Sequence, residues 1–172
     1  TVIDLLDAGS LSMEMAAWLM RRIGQGASFL TAARPGGAGK TSVMGALLAL
    51  TPPGSLLVEA GNGARPCGAG SPAWHVCREL GEGRIPGYLW GPQALEFFDL
   101  LATGCHIASN LHADTPDEIT EALTGPPNHN RNKACFGQRI ASPTTTGKYA
   151  AAVEDVPLKQ KGRHHKPQPR PE

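Results

Sequence analysis

Between Ser10 and Gly26 the apolar residues Met15, Trp18, Leu19 and Ile23 recur at intervals of three and four, which places them on one face of a helix. Ser12 precedes that run as a fitting N-cap, and Gly24 follows it as a stop. The period then shortens. "ASFLTA" (27–32) predicts a short buried strand, which leads through a glycine-rich turn into the helical run "TSVMGALLAL" (41–50), closed by Pro52. "SLLVEA" (55–60) predicts a second buried strand closed by an acid, Glu59, and the glycine- and proline-rich "GNGARPCGAGSP" (61–72) after it reads as a loop. A third strand is expected in "AWHVCREL" (73–80), again ending near an acid, Glu79, and a fourth in "CHIASNL" (105–111). Between them Pro92 suits the first helical position of "PQALEFFDLLAT" (92–103), in which Leu95, Phe98, Leu101 and Ala102 form an apolar stripe. In "TPDEITEAL" (115–123), Thr115 as cap, Pro116 in the first turn and Glu118 three residues after the cap make a capping box. Buried strands alternating with helices predict an α/β fold with a mostly parallel sheet and helices on its faces.

That alternation ends near residue 127. From 128 to 172 the chain is expected to be irregular, and "KQKGRHHKPQPRPE" (159–172) has no apolar period and is basic and proline-rich, as disordered tails are. The His164–His165 pair reads there as part of a solvated tail, and His75, inside a strand, as structural. A length of 172 residues with 41% hydrophobic content suits one compact domain.

Sixteen basic against fifteen acidic side chains leave a net charge of +1, so nothing global favours capture of nucleic acid or of an anionic membrane. The four cysteines, at 67, 77, 105 and 135, match no zinc-ligand spacing and are expected to be reduced thiols. No apolar run approaches the ~20 residues of a membrane span, and no basic-then-apolar leader is present, which predicts a soluble, cytoplasmic protein. Since Thr1 is not a methionine, further residues are expected upstream.

The chemistry sits in "TAARPGGAGKTSV" (31–43). In a phosphate-binding loop, successive backbone N–H groups and a helix N-terminus surround the β-phosphate, a lysine reaches the β- and γ-phosphates, and a Ser/Thr hydroxyl meets Mg²⁺. Gly36, Gly37, Ala38, Gly39, Lys40, Thr41 and Ser42 supply those groups between a strand and a helix, which makes ATP and Mg²⁺ the expected ligands, with Thr41 as metal ligand. Arg34 stands where the loop's first glycine belongs. Either Pro35 and the Gly36–Gly37 pair make the bend while Arg34 points outward, or the arginine obstructs the site. An acid that ends a strand beside such a loop is a candidate ligand of Mg²⁺ or water, which singles out Glu59, with Glu79 well placed in kind at another strand's C-terminal end.

Residues 1–60, with the loop at their centre, resemble the segment of type II and type IV secretion-system ATPases, notably the archaeal-flagellum and pilus-assembly motors, that runs from the pre-loop helix into the acidic strand. "ALEFFDLLATGCHIASNLHADTPDEI" (94–119) resembles the same family's helix, Thr-Gly pair and strand ending in a histidine box, here Leu111-His112-Ala113-Asp114. The resemblance covers about residues 1 to 127. It implies a RecA-like phosphate-loop NTPase core, a ring-shaped homo-oligomer, and ATP turnover that drives export or filament assembly. Other secretion or pilus subunits would be its partners, and membrane contact would come only through them. It also implies roles: Lys40 and the loop amides on the phosphates, Glu59 and Glu79 on water, and His112 as γ-phosphate sensor.

Several positions depart from the family's pattern. Ala60 follows Glu59 where a second acid is usual, Cys105 replaces the histidine after Thr-Gly, Ala122 stands for a late arginine, and the interval before residue 92 is short. Aligning "GYLWGPQALEFF" on the family's Gly-Glu-x-Arg-Gly pattern puts Tyr88 on the catalytic glutamate and predicts a dead enzyme, whereas "AWHVCRE" delivers Glu79 from an apolar strand. The expectations are therefore an ATPase or, in the alternative, a nucleotide-binding regulatory or structural subunit with weak or no hydrolysis. A decayed fragment that binds no nucleotide is the third.

Overall fold

A computed structural model describes residues 1–61, 72–81 and 85–124, together with the backbone of 140–141 and 151–153. Two helices precede the first strand. After α1 (Val2–Asp7), the Ser12 hydroxyl accepts the Met15 N–H at 3.1 Å and starts α2 (Met13–Gly24) as the sequence predicts. Of α2's apolar face, Leu19 and Ile23 are buried, while Met15 and Trp18 pack at its margin. The first strand, β1 (Phe29–Ala32), is buried throughout and passes through the glycine turn into α3 (Lys40–Leu48).

The strands β2 (Leu56–Glu59), β3 (Ala73–Leu80), β4 (Tyr88–Leu89) and β5 (His106–Leu111) follow, with α4 (Pro92–Asp99) and a 3-10 turn (Leu100–Thr103) before β5 and α5 (Pro116–Thr124) after it. Two more strands, β6 (Ile140–Ala141) and β7 (Ala151–Val153), fall within the range expected to be irregular. The sheet order is β2-β3-β5-β1-β7-β6, with β4 also on β3. Pairs among β1 to β5 are parallel, and β7 runs antiparallel to both β1 and β6. The result is the expected α/β architecture, a mostly parallel sheet with flanking helices. The basic stretch 159–172 lies outside the described residues. Among the described residues, no helix is long and apolar enough to cross a membrane.

Alternation along the strands divides the core. Phe29, Trp74 and Ala108 face α2 and α3 with Leu19, Ile23, Val43 and Leu47, whereas Leu30, Cys77, Ile107 and Leu111 face α4 and α5 with Phe97, Phe98 and Ile119. On α4 the buried residues are Ala94, Phe97 and Phe98; of the predicted stripe Phe98 is buried, Leu101 packs against the core and Leu95 is half-buried, while Ala102, in the 3-10 turn after Asp99, is exposed. The strand at 55–60 is not buried. β2 lies at the sheet's edge, and Leu56 and Leu57 are 58% and 55% exposed, since an apolar run reports strand propensity but not the strand's place in the order. Cys77 is a buried free thiol, but Cys105 is disulfide-bonded, contrary to the expectation of reduced thiols, and its partner lies outside the described residues.

His75 lies in the middle of β3 at 1% exposure, and neither ring nitrogen has a hydrogen-bond partner. Burial lowers its pKa below the ordinary 6.5 because the charged ring would lose its hydration. Below pH 6.5 the unfolded chain takes up a proton that the native ring resists, so this contribution to stability is full above 6.5 and is lost as pH falls toward the native value. Denaturant unfolding at pH 7.5 and 5.5 should therefore show a loss on acidification, with a slope of at most about 1.4 kcal/mol per pH unit from this group. The loss should be smaller in His75→Leu, and an equal loss in both proteins would assign it elsewhere.

Candidate functional site

The glycine turn solves a backbone problem first. Gly37 and Gly39 adopt φ of 74° and 92°, a region that side chains disfavour, and Gly39 is the N-cap of α3. No side chain caps that helix, so its first N–H groups are left to a ligand, with the positive end of the helix dipole behind them. Arg34 begins the bend, but its side chain turns away from the cleft. Its guanidinium donates to Glu118 Oε1 at 2.7 Å and its backbone N–H to Asp114 Oδ1 at 2.7 Å, so it lies along α5 and does not line the cleft. Exposure of both partners holds that ion pair to about 0.2–1 kcal/mol. The other carboxylate oxygen of Glu118 accepts the Asp114 N–H, while Thr115 caps Glu118; the predicted box thus closes one residue upstream of the cap.

Lys40 is 7% exposed. Its Nζ donates to the Ala33 carbonyl at 2.9 Å and lies 3.4 Å from His112 Nδ1. That nitrogen is also 2.8 Å from the Arg34 carbonyl, which can only accept, so Nδ1 carries the proton and the lysine's other hydrogens remain for the cleft. His112 Nε2 lies 3.9 Å from Glu79 Oε2, an ion pair when the ring carries both protons.

Glu79 is 4% exposed, and its Oε1 has no hydrogen-bond partner. Burial raises its pKa, and the charges of His112 and Lys40 partly oppose the rise. Its position depends on an irregularity in β3. Opposite β5, Cys77 pairs with Ser109 and Leu80 with Leu111, three residues against two, which is a β-bulge. Strict alternation would send Arg78 and Glu79 to opposite faces; the bulge lets both line the cleft and returns Leu80 to the side of Cys77.

These residues enclose a cleft of about 360 Å³, lined by Gly36, Gly37, Ala38, Gly39, Lys40, Thr41 and Ser42 together with Arg78, Glu79, Tyr88 and His112. It opens at the C-terminal ends of β1, β3 and β5, where open parallel sheets bind ligands. Every expected phosphate-loop residue is present, and Glu79 and His112 join them. Glu59 does not: it is exposed at the end of the edge strand, beside Gly87, and a strand separates it from β5. The catalytic expectation for Glu59 therefore finds no support in the geometry, because β3 takes the inner position. Tyr88 sits in the cleft alongside Glu79 rather than in its stead.

The Thr41 hydroxyl and the Glu79 carboxylate are oxygen donors of the kind that Mg²⁺ takes. No cluster of three or more His, Cys, Asp or Glu is assembled among the described residues, so such an ion would draw its other ligands from phosphate and water. Two residues of the site were not foreseen. Asn110, a polar residue within an apolar strand, was findable, since a buried amide must be hydrogen-bonded; Arg78 was not, because only the bulge brings it to the cleft.

Comparison with known protein families matches none, and no curated protein matches the chain.

Glu79 yields a stability test. A raised native pKa means that the folded chain holds a proton above 4.5 that the unfolded chain releases, so the contribution is full below 4.5 and is lost as pH rises through the native value. Glu79→Gln should raise the unfolding temperature at pH 7.5 by about 2–4 °C for each kcal/mol relieved, with a smaller gain at pH 4.5. Scanning calorimetry at both pH values checks this, and a loss at pH 7.5 would contradict it.

Proposed function

We propose that the chain binds ATP with Mg²⁺ in this cleft and hydrolyses the terminal phosphate, as an ATPase of the secretion-motor type that its motifs resemble. One observation carries the reading: an uncapped helix N-terminus, a buried ammonium and a buried carboxylate with one unpartnered oxygen converge on one cleft of nucleotide-binding size. Little covalent chemistry is asked of the protein, and positioning with charge stabilisation does most of the work.

The amides from Gly37 to Ser42 cradle the β- and γ-phosphates, and Lys40 neutralises charge that builds on the transferred group. Thr41 would hold Mg²⁺, whose chemistry is to neutralise the phosphate oxygens. The Glu79 carboxylate accepts a hydrogen bond from water and aims its oxygen at the γ-phosphorus; as the new O–P bond forms, the bond to the bridging oxygen breaks, ADP departs, and the water's proton passes to the carboxylate or to the phosphate released. His112 Nε2 meets the γ-phosphate or the water. Through the same resemblance, we propose a ring of like subunits within a secretion or pilus-assembly machine as its setting.

The exclusion of Glu59 and the presence of Tyr88 favour a second reading, a nucleotide-binding subunit that turns over weakly or not at all. Calorimetric titration with MgATP and a phosphate-release assay separate the two. Motor-type activity requires binding and release, whereas binding alone supports the second reading and no binding refutes both. Lys40→Ala should weaken MgATP binding by about 10–100-fold and abolish release. Because burial raises the Glu79 pKa, turnover should climb with pH along an acid limb centred above 4.5. A limb centred at or below 4.5 would remove Glu79 from the reaction.

A further inference from the structure

Asn110 is 1% exposed and stands between the phosphate loop and the strand that carries Glu79. Its Nδ2 lies 2.8 Å from the backbone carbonyl of Arg78, inside the β-bulge, and 3.3 Å from Thr41 Oγ1. The orientation of the amide follows from chemistry. A carbonyl only accepts, so the atom facing Arg78 must be the NH₂ group, and Oδ1 then faces Thr31, whose hydroxyl donates to it. Both amide hydrogens are thereby committed, one to the bulge and one to the loop. Thr41, accepting from Asn110, keeps a lone pair and its own proton for the cleft.

We propose that Asn110 is the positioning residue of this site, a single amide that fixes the Thr41 hydroxyl for Mg²⁺ and pins the bulge that aims Glu79 and Arg78. The inference rests on the nucleotide reading above and deepens it. No other side chain among the hydrogen bonds described bridges the loop helix to β3. The neighbouring chemistry excludes simple substitutes. Aspartate would set a carboxylate oxygen against the Arg78 carbonyl, and serine has one proton where two are used. Groups that orient a metal ligand cost about 10–100-fold in metal affinity or activity when removed.

The test uses the full chain as wild type, Asn110→Ala and Thr31→Val. The last keeps Asn110 but removes the hydroxyl that fixes its amide, so it carries the test if the alanine variant does not fold. Two measurements are made: steady-state ATP hydrolysis at varied Mg²⁺, and calorimetric binding of a non-hydrolysable ATP analogue with and without Mg²⁺. In Asn110→Ala, kcat should fall about 10–100-fold with KM for ATP within about threefold, and half-saturating Mg²⁺ should rise about tenfold. Analogue binding without Mg²⁺ should stay near wild type while the strengthening by Mg²⁺ is lost. Thr31→Val should shift both readouts the same way by less. Unchanged Mg²⁺ dependence in the variants, with a wild type that binds, overturns the role of Asn110 alone. A uniform loss with and without Mg²⁺ overturns it too, as mere structural damage. A wild type that binds no analogue removes the nucleotide reading, and this inference with it.

Discussion

An ammonium group held almost out of water is the constraint around which this fold is arranged. Lys40 begins α3, so its backbone must enter a helix while its side chain folds back to the Ala33 carbonyl across the loop. Burying such a charge is costly unless other groups compensate. Here compensation comes from one carbonyl and from Glu79, which itself suffers from burial, with His112 between the two. Neither charge is fully satisfied by protein. That imbalance is a stored preference for a ligand carrying both negative oxygens and hydrogen-bond donors, and a hydrated polyphosphate with an attacking water is such a ligand.

Much of this was legible in the sequence because the chemistry leaves little choice of residue type. Positive φ at two loop positions favours glycine, and helix starts favour Ser12 and Thr115. The alternation of apolar strands with capped helices gave the α/β class on similar grounds. What sequence reasoning could not read is lateral order. "SLLVEA" and "AWHVCREL" look alike as apolar runs closed by acids, yet one became an exposed edge and the other an inner strand, so Glu59 lies outside the site and Glu79 within it. The same limit explains Arg78, since a one-residue slip in pairing leaves no mark on composition.

The departures from the secretion-motor pattern also take on physical shape. Arg34, the most conspicuous, is drawn aside by Glu118 and Asp114 of the neighbouring helix start, so its bulk never meets the cleft. Ala122, on α5, packs at the margin of the core. These two positions serve local pairing and packing.

The outer flank of β3 is divided. β2 pairs with it as far as Val76, and β4 takes over from Glu79, both running in the same direction. The seam between these two partners falls beside the bulge on the other flank, between Cys77 and Leu80. A continuous neighbour would have needed a matching extra residue to follow the kink, whereas an interrupted one needs none. The two halves of β3 are thus indexed independently, the first against the acidic edge strand and the second against the tyrosine strand. The half that carries the carboxylate takes its hold from the second partner, since the N–H groups of Arg78 and Glu79 both donate to the Gly87 carbonyl.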